Sequence, residues 1–333
     1  MTKTEKQVAV VGAGLAGCEV AWHLGSRGVP VVLFEMRPSV MTPAHETGHF
    51  AELVCSNSLK SKDIGNAHGL LKAEMRLAGS LIVDVAEKNA VPAGSALAVD
   101  RNLFAESVEH RIRGCSLIQC ENTEVTDISQ LRQDFTHVVI ATGPLSSDAV
   151  SKSLQSLLGD EGFFFYDAIA PVVFTDSIDM NIVFRASRYG KGDADYLNCP
   201  MDREAYESLI TELLQSKKVP FRDFEQARHF EGCLPVEVMA QRGMDTLSFG
   251  PMKPVGLTDP RTGEQPWAVL QLRQENKTGE LYNLVGCQTR MKVGEQKRIF
   301  RQVPGLENCE FARMGSMHRN TYISAPSHLG TDL

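Results

Sequence analysis

The sequence has no apolar run that approaches the roughly 20 residues needed for a membrane-spanning helix. It also has no internal repeat and no low-complexity segment, which excludes repeat architectures. The first strand-like run begins near Gln7, so we expect no targeting peptide ahead of it. These absences favour a cytoplasmic globular protein with no membrane partner, and its 333 residues are enough for two packed domains.

Cysteine pairs at metal-ligand spacing are missing as well. The eight cysteines are scattered along the chain, and none forms a Cys-x-x-Cys pair or a cluster with histidine at zinc spacing. We therefore predict no metal site. In a reducing compartment most of these cysteines should be small buried apolar groups, which leaves one or two as candidate nucleophiles.

An excess of positive charge is also absent, because the formal net charge is −7, and this alone does not favour a nucleic-acid partner. Five basic residues nevertheless lie between Arg290 and Arg301 beside a single acid, Glu295. The candidates for RNA contact in this cluster are Arg290, Lys292, Lys297 and Arg298. Two interpretations stay open, a solvated face and a patch that contacts phosphate.

The N-terminal segment reads as a strand, a glycine-rich turn, a helix and a second strand. Gln7–Val11 is an apolar run typical of a strand, and the letters GAGLAG follow at once. Apolar residues then recur at helical spacing until Gly28, and Pro30–Phe34 predicts the second strand. This order predicts a right-handed crossover and a parallel sheet.

The turn has the Gly-x-Gly-x-x-Gly spacing of a dinucleotide-binding site. Gly12 permits the tight turn, Gly14 lets the backbone approach a pyrophosphate, and Gly17 lets the helix pack on the strand. Glu35, at the end of the second strand, would accept hydrogen bonds from a ribose. The predicted phosphate-binding residues are Gly12, Ala13, Gly14, Leu15, Ala16 and Gly17. The structural alternative is a glycine loop that only turns the chain.

The choice between NAD and FAD depends on a later strand. A second glycine motif for NAD(P)H is absent, whereas the apolar run Val138–Ala141 is closed by Thr142 and Gly143. FAD-type Rossmann domains have this pattern where the chain passes close to the flavin nucleotide. We therefore predict FAD as the cofactor, with Thr142 and Gly143 in its site.

The remaining chain is predicted to contain two loops and a second domain. Thr42–Lys62 is interpreted as a long functional loop, Pro92–Ala98 as a small-residue loop, and Asp100 as the cap of a helix. The predicted fold is α/β, a Rossmann-type FAD-binding domain with a GR2-like parallel sheet and an inserted α+β substrate domain. The predicted boundaries are 1–150 for the FAD domain, 151–310 for the insertion and 311–333 for an incomplete return to the FAD domain.

Long and unusual motifs run through nearly the whole chain. They include ELVCSNS at Glu52–Ser58, SRYGKGDADYLNCPM at Ser187–Met201, FEGCLPVEVMAQRG at Phe230–Gly243, GPMKPVGL at Gly250–Leu257 and MHRNTY at Met317–Tyr322. With these motifs the chain resembles the TrmFO family, the folate- and FAD-dependent tRNA (uracil-5-)-methyltransferases related to the GidA/MnmG tRNA-modifying flavoproteins.

The resemblance implies methylation of C5 of the T-loop uridine in tRNA. The carbon would come from 5,10-methylenetetrahydrofolate, the hydride from reduced FAD, and the electrons that reduce FAD from NAD(P)H. Uracil C5 is a weak nucleophile, so a thiolate must add at C6 to make C5 enolate-like. A base must then remove the C5 proton after the carbon–carbon bond has formed.

Two cysteines receive roles from the resemblance alone. It implies that Cys233, in FEGCLPVE, is the nucleophile and that Cys55, in ELVCSNS, is the base beside the flavin. The structural alternative for each is a buried cysteine without chemistry. Cys199 also lies in a family motif but receives no role, and the other cysteines are interpreted as structural.

The sequence also departs from the family pattern. Family chains continue past the MHRNTY region to a further glycine-rich stretch that completes the FAD site, whereas this sequence ends at Leu333. Val293 stands where family members carry a tryptophan. Two other functions therefore stay open, a GidA-like flavoprotein with another uridine product and a shortened paralogue that retains only flavin or RNA binding.

Overall fold

The computed structural model describes residues 7–158, 163–190, 193–220, 234–322 and Gly330. The strands of the first half are β1 Val8–Val11, β2 Val31–Phe34, β3 Ser58–Ser61, β4 Ala90–Val91, β5 Ala96–Val99, β6 Ile118–Glu121 and β7 His137–Ile140. Its helices are α1 Leu15–Gly25, α2 Ala67–Leu77, α3 Leu81–Lys88, α4 Arg101–Arg113, α5 Ile128–Asp134 and α6 Asp148–Leu158.

A four-stranded parallel sheet with strand order β6-β2-β1-β7 forms the centre of this half. All four residues of the central strand β1 are buried, as expected for a parallel strand covered on both faces. Side chains from α1, α3 and α4 pack on the sheet in one apolar cluster. The predicted α/β class with a Rossmann-type parallel sheet is confirmed.

Helix α4 begins as the sequence predicted. The Asp100 carboxylate accepts a hydrogen bond of 3.1 Å from the backbone N–H of Leu103, which satisfies one of the free donors at the helix start. Phe104, Val108 and Ile112 are fully buried on the face that meets the sheet.

A small antiparallel sheet with strand order β3-β5-β4 corrects both loop predictions. Ser58–Ser61 forms a strand inside the segment predicted as one long loop, and Ala96–Val99 forms a strand that includes the end of the predicted small-residue loop. Both strands exist because they pair with each other, Ser58 opposite Ala98. Pairing over such a sequence distance leaves little trace in local composition.

The second half is dominated by antiparallel strands. Its strands are β8 Phe163–Ala168, β9 Val172–Phe174, β10 Phe184–Ala186, β11 Tyr196–Met201, β12 Ala268–Gln274, β13 Leu281–Leu284, β14 Phe311–Arg313 and β15 Met317–Tyr322. Its helices are α7 Arg203–Gln215, α8 Val236–Ala240, α9 Thr246–Phe249 and α10 Val293–Phe300. The described part of the chain contains no helix long and apolar enough to cross a bilayer.

Six of these strands form one sheet with the order β10-β11-β12-β13-β9-β14. Helices α7, α8 and α10 cover one face of this sheet and share a second large apolar core with it. The centre of that core includes Tyr206 of α7, Leu270 of β12 and Phe300 of α10, all buried. The three-part domain division stays a prediction.

A separate two-stranded ladder joins β8 to β15. The strands are antiparallel, and Asp167 lies directly opposite His318. The ladder also contacts the end of the parallel sheet, because the backbone N–H of Thr321 donates to the carbonyl of Pro144 at 2.7 Å. This ladder therefore brings residues far apart in sequence to the carboxyl edge of the Rossmann sheet.

Candidate functional site

The turn between β1 and α1 requires glycine at two positions for steric reasons. Gly12 has a φ of +98°, and a Cβ there would lie 2.7 Å from the carbonyl oxygen of Ala141. A Cβ at Gly17 would lie 1.8 Å from the carbonyl oxygen of Gly12. Both distances are shorter than a non-bonded contact permits, so these glycines let the turn close against the end of β7.

Gly14 differs from its two neighbours in the motif. It is the N-cap of α1, no side chain caps the helix there, and a Cβ would meet no atom within 4 Å. Leu15 and Ala16 follow as the first helical residues. A helix start without a side-chain cap that faces open space is the arrangement that binds phosphate through backbone N–H groups.

Glu35 lies at the carboxyl end of β2 and is 5% exposed. Its Oε2 accepts a hydrogen bond of 2.9 Å from the N–H of Ala13, and its Oε1 accepts from the backbone N–H and Nε of Arg37 at 3.1 and 2.9 Å. Burial raises the pKa of this carboxyl, but hydrogen bonds and charge from Arg37 more than offset it, so the pKa is lowered. The ionised Glu35 keeps one acceptor position on Oε2 for a ribose hydroxyl.

The predicted cofactor residues meet at one cavity. Gly12, Gly14, Glu35 and Thr142 all line it. The hydroxyl of Thr142 is hydrogen-bonded to that of Ser146 at 2.6 Å, and Gly143, with a φ of +64°, turns the chain away after β7. The amide of Ala13 is used by Glu35 and is therefore not available for phosphate.

A larger cleft of about 980 Å³ adjoins this cavity. The residues that line both are Met36, Glu124, Leu145, Ser146 and Ser147. The opposite wall of the cleft includes Arg290 and Val293 from the second half and His318 from β15. A cofactor that enters at the glycine turn would therefore border a space large enough for further ligands.

Cys55 lies next to two side chains that the sequence did not single out. Its Sγ is 3.6 Å from Oδ2 of Asp167 and 3.9 Å from Nε2 of His318. Asp167 and His318 are each 8% exposed. His318 lies in the motif MHRNTY, so a signal existed, but only the ladder of β8 and β15 places the three groups together.

Arginines hold the loop around Cys55 in place. Arg101 donates to the carbonyls of Leu53 and Val54 and forms an ion pair of 2.6 Å with Glu275. Arg273 donates to Oδ1 of Asn57 at 2.9 Å and to Oγ of Ser56 at 2.8 Å. Guanidinium groups thus hold the backbone before Cys55 and the side chains of the two residues after it.

A third arginine carries positive charge into the same region. Burial lowers the pKa of Arg313, and Glu275, Glu46 and Cys55 act electrostatically against that effect. Its Nε and Nη2 are buried and have no hydrogen-bond partner among the described residues. Buried guanidinium donors of this kind favour an anion or carbonyl oxygen close to the Cys55 loop.

The second predicted catalytic cysteine, Cys233, lies outside the described residues. The described residues on either side of its segment are Pro220, which lines the cleft, and Leu234, which is buried. Two residues later, the backbone N–H of Val236 donates to the carbonyl of Gln288 at 2.7 Å. The role of Cys233 stays a prediction.

The deeply buried cysteines are poor nucleophiles. Burial raises the pKa of the thiols of Cys18, Cys199 and Cys287, and it raises that of Cys309 to about 11. None of the described cysteines forms a disulfide. A thiol that stays protonated is inert near neutral pH, so the structural interpretation of Cys18, Cys287 and Cys309 fits their surroundings, and Cys199 is buried in the same way.

The residues predicted to contact RNA differ in how free their charged groups are to bind phosphate. Lys292 and Lys297 are exposed, whereas Arg298 is bonded to Glu212 at 2.5 Å and to Glu295 at 2.8 Å. Lys217 and Lys218, which the sequence interpretation left out, adjoin the cluster because the N–H of Lys292 donates to the carbonyl of Lys217 at 2.9 Å. No RNA contact follows from this geometry alone, and the assignment stays a prediction.

Comparison with known proteins finds a matching family model and relatives that share one name. The family model described as glucose inhibited division protein A matches residues 7–333. Proteins named methylenetetrahydrofolate–tRNA-(uracil-5-)-methyltransferase TrmFO are 57% identical in Desulforudis audaxviator and 57% identical in Geobacter sulfurreducens. These alignments cover 98% and 97% of this chain and 73% of each relative.

Solved structures share the fold. Two crystal forms of Aquifex aeolicus GidA superpose with TM-scores of 0.66 and 0.67 at 13% and 15% identity. They cover 97% and 96% of this chain, and the chain spans 56% and 58% of the GidA chains. On the family match and the identity to its relatives, the chain belongs to the glucose inhibited division protein A family and, within it, to the TrmFO proteins.

Proposed function

We propose that this protein methylates C5 of the T-loop uridine in tRNA, with 5,10-methylenetetrahydrofolate as carbon donor and reduced FAD as hydride donor. The relatives that carry this enzyme's name are 53–57% identical over nearly the whole chain, which is the observation that carries the proposal. The structure adds a cavity at the glycine turn that adjoins a large cleft, and His318, which lies beside Cys55, lines that cleft.

FAD fits the residues at the glycine turn. The open space beside Gly14 and the uncapped start of α1 suit a pyrophosphate, and the remaining acceptor position of Glu35 suits a ribose hydroxyl. When bound, FAD would supply the hydride that converts the methylene group on C5 to methyl. We propose NAD(P)H as the source of its electrons.

The addition to uracil C6 and the removal of the C5 proton are assigned to two cysteines. In this proposal the thiolate of Cys233 adds to uracil C6, which makes C5 nucleophilic towards the folate methylene. After the new carbon–carbon bond has formed, Cys55 takes the proton from C5, and the electron pair expels tetrahydrofolate from the new methylene group. Cys233 leaves C6 once that methylene group has been reduced to methyl. The position of Cys55 near Asp167, His318 and Arg313 supports its role, because it places a thiol among groups that can hold a proton or an anion.

The tRNA would approach the cleft along its basic rim. Arg290 lines the cleft, and Lys292 and Lys217 lie beside it. Positive charge at the mouth of a cleft attracts the phosphate backbone and orients the loop whose base must enter. Methylation of a base inside a folded loop requires that the base be extruded into such a pocket.

RNA with 5-fluorouridine at the target position tests the two cysteine roles. Fluorine cannot leave C5 as a proton does, so the wild-type protein should retain the RNA as a covalent adduct on a denaturing gel. Cys233→Ala should lose both the adduct and turnover, whereas Cys55→Ala should lose turnover and keep the adduct. An adduct that vanishes only in Cys55→Ala would reverse the two roles.

A further inference from the structure

The thiol of Cys55 meets an acid and an imidazole that come from a single strand pair. Asp167 on β8 and His318 on β15 are direct neighbours in the ladder, and both face the sulfur, at 3.6 and 3.9 Å. Since the ladder fixes both backbones, the geometry of the three groups is set before any ligand binds.

The carboxylate of Asp167 is anchored on both oxygens. Its Oδ1 accepts from the N–H of Ala168 at 3.1 Å, and its Oδ2 accepts from the side-chain amide of Asn320 at 3.4 Å as well as from Cys55. These donors hold the buried carboxylate in a fixed position beside the sulfur. It can therefore stabilise a positive charge that forms beside it.

The imidazole of His318 is the second group beside the thiol. Burial lowers its pKa, the Asp167 carboxylate acts in the opposite direction, and the net effect is a lowered pKa, which keeps the ring neutral near pH 7. His45 acts electrostatically in the same region and is itself held neutral, its pKa lowered to about 4. The Nδ1 of His318 has no hydrogen-bond partner among the described residues, so Nε2 is the ring nitrogen that faces a titratable group.

The ring also has an exit for its proton. His318 is one of the residues that line the large cleft, and its Nε2 lies 3.9 Å from the Cys55 sulfur. A proton held on His318 can therefore pass to water in the cleft without crossing the apolar core.

We propose that His318 Nε2 accepts the thiol proton of Cys55 and that Asp167 stabilises the imidazolium that results. The S–H group, which donates to Oδ2 of Asp167 in the resting structure, turns to Nε2 of His318. The S–H bond then breaks, the electron pair stays on Sγ, and the N–H bond forms on His318. The thiolate then takes the proton from substrate C5, and His318 releases its own proton to water in the cleft. His318 and Asp167 are thus positioning residues for Cys55. The identity of Cys55 as the base rests on the proposed function, but the transfer from thiol to imidazole does not.

Alkylation of Cys55 across a pH series tests this transfer without any substrate. The protein is first dialysed against EDTA, since the same donor types also suit zinc. The rate of iodoacetamide addition at Cys55 is then read by peptide mass spectrometry. Loss of the proton acceptor in His318→Gln should move the midpoint of this profile upward by about one unit, towards or beyond the value of about 8.5 for an isolated thiol.

The matched control is His49→Gln. His49 precedes Cys55 on the same segment but is paired with Glu109 at 2.7 Å, so its loss should leave the Cys55 profile unchanged. An unchanged midpoint in a folded His318→Gln protein would overturn the proposal. An equal shift in both variants would do so as well, because it would reflect a general loosening of the segment.

A second measurement covers the case in which His318→Gln does not fold. NMR titration of His318 in the wild type should show a step that coincides with the Cys55 alkylation midpoint, because the two groups share one proton. Cys55→Ser should remove that step. A His318 that titrates identically in both proteins contradicts the proposal, and it does so whether or not the enzyme methylates RNA.

Discussion

At the scale of single residues, the three motif glycines have separable functions. Gly12 and Gly17 are required by backbone contacts inside the protein, whereas Gly14 faces open space. The backbone of Gly14, with φ −73° and ψ −170°, is also one that any residue adopts. Binding and folding can therefore be tested by different substitutions in the same short turn.

We expect Gly14→Val to lose FAD while the fold survives. The added side chain occupies the space that the pyrophosphate needs, and its Cβ would have no protein atom within 4 Å. Gly17→Val is the contrasting variant, because its Cβ would clash with the Gly12 carbonyl and should cost about 1–3 kcal/mol or more of stability. Flavin absorbance after gel filtration and the melting temperature separate the two. A Gly14→Val protein that purifies with stoichiometric FAD would contradict the assignment.

His45 should make stability depend on pH. Burial, followed by the charge of Arg37, lowers its pKa from 6.5 to about 4, so the unfolded chain binds the proton more readily than the folded one. The free energy of unfolding should then decrease as the pH falls from about 6.5 to about 4. His45→Gln should flatten the melting temperature across that window, whereas the exposed His68→Gln should not. Equal slopes in the two variants would show that His45 is not the source.

Residue patterns predicted the nucleotide site better than the Cys55 cluster. Gly12, Gly14 and Glu35 lie within one short βαβ unit, so spacing alone places them together. Asp167 and His318 come together only through the pairing of two distant strands. A local pattern contains no information on that pairing. The motif MHRNTY therefore marked the segment of His318 but could not place its side chain beside Cys55 and Asp167.

At the scale of elements, the start of α10 and the end of α7 form one basic surface. Lys292 precedes α10, Lys217 follows α7, and a backbone hydrogen bond joins them. The sequence interpretation grouped residues 290–301 by proximity along the chain. The structure separates the exposed lysines from Arg298, whose guanidinium is already shared between two carboxylates.

Salt dependence should distinguish these groups. We expect Lys217→Ala and Lys292→Ala each to weaken RNA binding and to reduce the slope of log affinity against log salt by roughly 0.7–0.9 per lost phosphate contact. Arg298→Ala is the matched control and should change the slope less, because Glu212 and Glu295 already neutralise it. If the lysine variants keep the wild-type slope, the surface is only a solvated face.

Helices and strands were predicted correctly where the hydrophobic periodicity of the sequence is strong. The prediction failed where a segment becomes a strand only because it pairs with another strand. The strands predicted at Gln7–Val11, Pro30–Phe34 and Val138–Ala141 are present as β1, β2 and β7 with small shifts at their ends. Strands β3 and β5 were missed, since polar Ser58–Ser61 and small Ala96–Val99 gain their conformation from each other and not from their own preferences.

At the scale of the whole molecule, two cores meet at one cleft. The Rossmann half contributes the cavity at the glycine turn, and the antiparallel half contributes Arg290, His318 and Pro220 to the cleft. The chain spans 73% of the length of the TrmFO relatives quoted above. The methylation activity of the 333-residue chain itself is therefore the property to be measured.

Nucleoside mass spectrometry measures this methylation activity most directly. T-loop RNA is incubated with the FAD-loaded protein, isotopically labelled methylenetetrahydrofolate and NADPH, then digested to nucleosides. The account predicts 5-methyluridine that carries the label in its methyl group, at the T-loop uridine and not in a transcript with cytidine at that position. Absence of labelled 5-methyluridine from a folded protein that retains its flavin would contradict the proposed function.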